Sequence, residues 1–149
     1  MNNLEASKTA AKLSSGDIAT NGTHQHAIDT LGFDYASIDV VFEPVGAAGT
    51  NSSVAVALKM QQGDTTSSYA DVTAFVGGGS GGFTVPTPAD TNSSTVVRFN
   101  VDMRGKQRFL NVFATPNVAS PVVSVARLGK PEEAPVAASD AGVAVFVSG

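Results

Sequence analysis

The sequence predicts an all-β fold, an antiparallel β-sandwich or jelly roll with an extended N-terminal arm and a C-terminal tail. Roughly seven or eight short segments alternate apolar and polar side chains with a period of two, at intervals of about 8 to 15 residues. No segment sustains a 3.6-residue period, and the connections are rich in glycine and short polar side chains. With 149 residues, a single self-supporting domain is expected. Residues 31–128 form the sandwich, 1–30 the arm, and 129–149 a proline-containing tether and a last strand.

The arm is rich in Ser, Thr, Asn and Ala, with Leu4, Leu13, Ile18 and Ile28 too scattered to mark an element. His24 and His26 fall on one side of an extended backbone, the geometry of a metal pair. No third ligand stands nearby, so solvent-exposed histidines are expected. Ala36, Ile38, Val40 and Phe42 then alternate against Ser37, Asp39 and Val41, and Pro44 closes this strand. A Gly/Asn/Ser loop delivers the chain to a second strand, with Val54, Val56, Leu58 and Met60 on one face. Residues 63–68 turn it back into Tyr69–Phe75, completing a three-stranded meander in which the Tyr69 hydroxyl reaches water.

The glycines of residues 77–82 lack the Gly-Lys-Ser/Thr ending of a phosphate loop and precede no capped helix. They predict a loop anchored by Phe83 and Val85 or, equally, an extended proline-containing strand at a sheet edge. Val97, Phe99, Val101 and Met103 form the inner face of the next strand, Gly105 turns the chain, and Arg108–Thr115 returns as the partner in a second hairpin. Val122–Leu128 is a further strand. Beyond it, residues 129–135 should run extended, and residues 141–149 are apolar enough to demand a partner.

Composition narrows the function classes. A formal charge of −4 without acidic blocks argues against a nucleic-acid surface. The chain has no cysteine, which removes disulfides and thiolate metal sites. The opening residues lack the apolar run of a secretory signal, and no stretch of about 18 apolar residues suggests a membrane helix. The Asn-x-Ser/Thr triplets at Asn21, Asn51 and Asn92 are expected by chance in such loops. No nucleophile, base and acid are arranged for hydrolysis, so neither an enzyme nor a cofactor is expected. Arg98, Arg104, Lys106 and Arg108 hold four of the nine Lys and Arg residues within eleven positions and form a candidate docking patch for an acidic partner, the alternative being pairing with Asp34, Asp39 and Asp102. Val143, Val145, Phe146 and Val147 form a second candidate interface.

The succession Asp29-Thr-Leu-Gly-Phe-Asp-Tyr35, Ser37-Ile-Asp-Val-Val41, Val56-Ala-Leu-Lys-Met-Gln-Gln-Gly-Asp64, Tyr69-Ala-Asp-Val-Thr73 and Phe99-Asn-Val-Asp-Met-Arg-Gly-Lys-Gln-Arg-Phe-Leu110 resembles the decoration or cement proteins of tailed-bacteriophage capsids. The resemblance spans residues 29–128. It implies a β-sandwich bound to the outside of the major capsid protein's shell, often as a homotrimer, made in the host bacterial cytoplasm and without nucleic-acid or membrane partners. Arm and tail would be straps between subunits. A carbohydrate-binding or adhesive sandwich is the alternative, although Tyr35 and Tyr69 are the only tyrosines and there is no tryptophan.

Overall fold

Alternating side chains in a two-sheet protein must send one set inward, and eight segments do so. The computed structural model describes residues 7–19, 21–44, 53–88 and 92–131. Its strands are β1 (Ser7–Leu13), β2 (His24–Asp29), β3 (Phe33–Phe42), β4 (Ala55–Thr65), β5 (Ser68–Val76), β6 (Thr95–Asp102), β7 (Phe109–Pro116) and β8 (Val122–Pro131). They form two antiparallel four-stranded sheets, ordered β1-β8-β3-β6 and β2-β7-β4-β5. Every connection between consecutive strands except β4 to β5 crosses from one sheet to the other, which is jelly-roll winding.

The core lies between the sheets. Ala36, Ile38, Val40 and Phe42 of β3 meet Phe99 and Val101 of β6 and Val122, Ala126 and Leu128 of β8 from one side. Ile28, Leu58, Met60, Leu110, Val112 and Ala114 come from the other. Full burial of one such aliphatic or aromatic side chain is worth about 1.5–3 kcal/mol, against about 0–1 for an exposed ion pair. This interior therefore holds the sheets together, and surface charge adjusts it.

Several local expectations change. The arm of residues 1–30 contributes a strand to each sheet, with β1 pairing β8 and β2 pairing β7. As an edge strand with much of its length exposed, β1 needs few apolar side chains, so its composition resembles a loop. The meander and the second hairpin are also replaced, because β3 and β4 lie in different sheets, as do β6 and β7. Alternation reports a buried face and not which sheet owns it. Gly105 does turn the chain, with φ of 80°, but the turn feeds a crossover.

On β4 the register slips between Ala55 and Ala57, a bulge that inserts one residue and flips the alternation. Val54, Leu58 and Met60 stay buried while Val56 is 63 % exposed. Val56→Ser is accordingly expected to change the unfolding free energy by less than about 0.5 kcal/mol in urea denaturation, although its strand neighbours are core.

The glycine-rich connection after β5 is folded back on the sandwich. Phe83 and Phe75 both meet Phe99 edge-on, at 5.5 and 5.7 Å between ring centroids, and Val85 packs on the core beside them. This closes the side of the sandwich between the outer strands β5 and β6. Gly82 is required there, since a Cβ would overlap the Val76 carbonyl oxygen. Residues 132–149, including the expected last strand, lie outside the described residues.

Candidate functional site

The opposite side of the sandwich, between β1 and β2, is closed by polar groups. His24 and His26 project inward from β2 and are only 3 % and 6 % exposed, correcting the expectation of solvent-facing histidines. Both rings converge on one hydroxyl from the facing sheet. His24 Nε2 lies 2.8 Å and His26 Nδ1 2.7 Å from Ser124 Oγ, which is fully buried on β8. A serine hydroxyl donates once and accepts twice, so two neutral imidazoles fit it when one donates N–H and the other accepts O–H.

Lys12 of β1 pairs with Ser124 in the strand register. Burial pushes the His26 ring down to about 4, with repulsion from His24 and Lys12 acting in the same direction. His24 is lowered by burial and by Lys12. The pair is thus a neutral tie between sheets. Among the described residues no group of three or more His, Cys, Asp or Glu side chains could hold a metal.

The three arginines singled out from the sequence are each ion-paired within the domain. Arg98 on β6 holds Asp39 of β3 through two bonds of 2.6 and 2.8 Å. Arg104 holds Asp102 at 2.9 and 2.6 Å, while Arg108 holds Asp29 of the other sheet at 3.0 and 2.7 Å. Hydrogen bonding from Arg104 brings the Asp102 carboxyl down to about 2, with Lys106 adding to the effect. Arg98 and Arg108 lower Asp39 and Asp29 in the same way. Arg98, Arg104 and Arg108 are therefore each committed to a carboxylate of their own domain. Val143, Val145, Phe146 and Val147 lie outside the described residues.

The two outer sheet faces differ in kind. On the β2-β7-β4-β5 sheet, Lys59 sits 5.0 Å over Phe113 and Arg108 4.8 Å over Phe109. Between those rings a polar ladder runs from buried Asn111 to Gln61 and on to Asp71, which also binds Lys59 at 2.9 Å. Tyr69 departs from expectation: its hydroxyl is buried with no hydrogen-bond partner among the described residues, and desolvation raises its pKa.

On the β1-β8-β3-β6 sheet, Leu13, Val123, Val41 and Val96 stand in register across all four strands. Leu13 is 64 % and Val96 54 % exposed at the two ends of this apolar row, and Val123 and Val41 between them are half-buried. Toward the other end of this face lies a groove of about 500 Å³, lined by Ser7, Tyr35, Ser37, Asn100, Asp102 and Arg127 among others. The Tyr35 ring is flanked by Arg104 at 5.2 Å and Lys130 at 5.3 Å.

Comparison of the chain with protein-family models finds no match, and comparison with curated proteins finds none. Ser124 was the functional-looking residue that sequence reasoning passed over. The signal available was a polar residue in an inward slot of an otherwise apolar strand, Val122-Val-Ser-Val-Ala-Arg-Leu128.

Proposed function

We propose that this chain is a virion structural protein, a cement or decoration protein that binds the outer surface of a capsid shell and reinforces it. The observation that carries this reading is the strand order β1-β8-β3-β6 over β2-β7-β4-β5, an eight-stranded jelly roll with a filled interior. Jelly rolls recur in viral capsid and lectin domains, so the support is a likeness of architecture joined to the sequence resemblance. The described polar clusters add to it, since the imidazole pair and Arg98, Arg104 and Arg108 are bonded within the domain. In this reading the partners are the major capsid protein and further copies of the chain as a homotrimer. Many copies bridging adjacent shell subunits favour the assembled lattice by mass action, and multiplicity makes modest single contacts sufficient.

Co-sedimentation of the purified protein with capsids of the parent virus tests the reading. Saturable binding near a simple ratio to the major capsid subunit is the expected result. No binding to either intact or stripped capsids would overturn it. The groove beside Tyr35 and Arg127 favours a second reading, a carbohydrate-binding module, because its size suits a small ligand and Asn100, Ser37 and Arg127 can meet sugar hydroxyls or a carboxylate. A glycan-array signal abolished by replacing Tyr35, together with absent capsid binding, would establish it instead.

A further inference from the structure

Two register rows build the groove beside Tyr35 on the outer face of the β1-β8-β3-β6 sheet. Arg127, Ser37 and Asn100 stand side by side on β8, β3 and β6 in one row, and Gly129, Tyr35 and Asp102 in the other. All six line the groove, whose volume of about 500 Å³ lies in the range of small-ligand sites. At about 4.8 Å between strands, the polar row from Arg127 to Asn100 spans about 10 Å.

Three features set this place apart. The chain has four arginines, and Arg98, Arg104 and Arg108 are each ion-paired, whereas Arg127 has no carboxylate partner among the described residues. Its guanidinium offers a rigid fork of donors that matches a carboxylate in two parallel bonds. Gly129 lies on an inner strand, where glycine gives up packing, yet a Cβ there would meet nothing within 4 Å. The floor of the groove is therefore open because the residue at that position has no side chain.

Lys130 is the third. Leu128 is buried and alternation would turn Lys130 inward as well, but its φ of 53° lies in the left-handed region that lysine seldom occupies. The side chain is exposed instead, with Nζ 5.3 Å from the Tyr35 ring. Such backbone outliers concentrate at ligand sites. Asp102 is held by Arg104, on which Asp34 also acts, so Arg127 and Lys130 remain as cations without a carboxylate partner among the described residues. On a chain with a formal charge of −4, this is a local concentration of positive charge.

We propose that the groove binds a sugar acid, a pyranose whose carboxylate is gripped by Arg127 and whose hydroxyls meet Ser37 and Asn100 while its ring lies over Gly129 beside Tyr35. Lys130 stands at the rim and adds to the attraction. The inference rests on the carbohydrate reading of this groove, which it narrows to acidic ligands, and does not depend on capsid binding.

Chemical-shift titration of the full chain with glucuronate and galacturonate, against glucose and galactose, tests it. At least one uronate should bind saturably, moving the amides of residues 37, 100, 127 and 129, and at least about tenfold more tightly than its neutral counterpart. Arg127→Gln should weaken that binding at least about tenfold and remove the preference for the acid. Gly129→Leu should fill the floor and abolish binding, while unchanged amide shifts around His24 and Ser124 show the sandwich intact. Equal binding of acid and neutral sugar, with no loss in Arg127→Gln, would overturn the inference and leave the carbohydrate reading standing. No saturable binding of any of the four sugars would overturn both. Acetate binding as tightly as the uronates would overturn the sugar acid as ligand, and undiminished binding in Gly129→Leu would overturn the placement of its ring.

Discussion

Ser124→Ala is expected to lower the unfolding free energy by about 2–4 kcal/mol at pH 7, although it removes a single oxygen atom. The hydroxyl is the shared partner of two buried imidazole nitrogens, and a buried polar group left unsatisfied costs about 1–3 kcal/mol. The cavity created is too small to account for such a loss. Urea denaturation should show the midpoint falling with the slope unchanged, as for a folded-state defect. Ser124→Thr keeps the hydroxyl and should retain most of the stability if the added methyl is accommodated. A loss below about 0.5 kcal/mol in Ser124→Ala would mean that the rings do not depend on this contact.

The second large effect is acid destabilisation in a window set by the same pair. His26 has a folded-state pKa of about 4 against 6.5 in the unfolded chain, so between those values the unfolded state binds more protons. Stability therefore rises with pH across this interval. The contribution of the neutral ring is fully present above about pH 6.5 and is lost as pH falls toward 4, a difference of about 3 kcal/mol for His26. His24 acts in the same direction. The carboxylates of Asp29, Asp39, Asp71 and Asp102 have lowered pKa values, so their contributions persist above the ordinary carboxylate range and disappear only at lower pH. Urea midpoints measured from pH 7 to 4 should fall steadily. Replacing both rings, His24→Gln with His26→Gln, should flatten that slope while leaving the steeper loss below pH 4. An unchanged slope in the double variant would assign the acid sensitivity elsewhere.

The fold class was legible because β3, β6 and β8 write the inward face plainly: Ile38, Val40 and Phe42, then Phe99 and Val101, then Val122, Ala126 and Leu128. What remained hidden had physical causes. β2 uses His24 and His26 in core slots, and imidazoles look like surface until a partner such as Ser124 is placed opposite them across 98 or more positions. Val56 kept the apolar alternation that a bulge then broke. Pairing of the basic residues with Asp39 and Asp102 was legible as the alternative to a docking patch, whereas Asp29, 79 positions from Arg108, was not. The apolar row of Leu13, Val123, Val41 and Val96 exists only once four distant strands are laid side by side.

The winding also dictates when the domain can come into being on the ribosome. β8 sits between β1 and β3 in its sheet, and Ser7 waits for Gly129, 122 residues later in the register. At roughly 5–20 residues per second, that is a delay of about 6–24 s in which β1 has no partner strand. A nascent chain halted before Val122 would possess the β3–β6 pairing but lack the middle of that sheet and the hydroxyl that receives both histidines. The sandwich is thus completed only by the last of its eight described strands, and a chain halted before that strand yields no usable half.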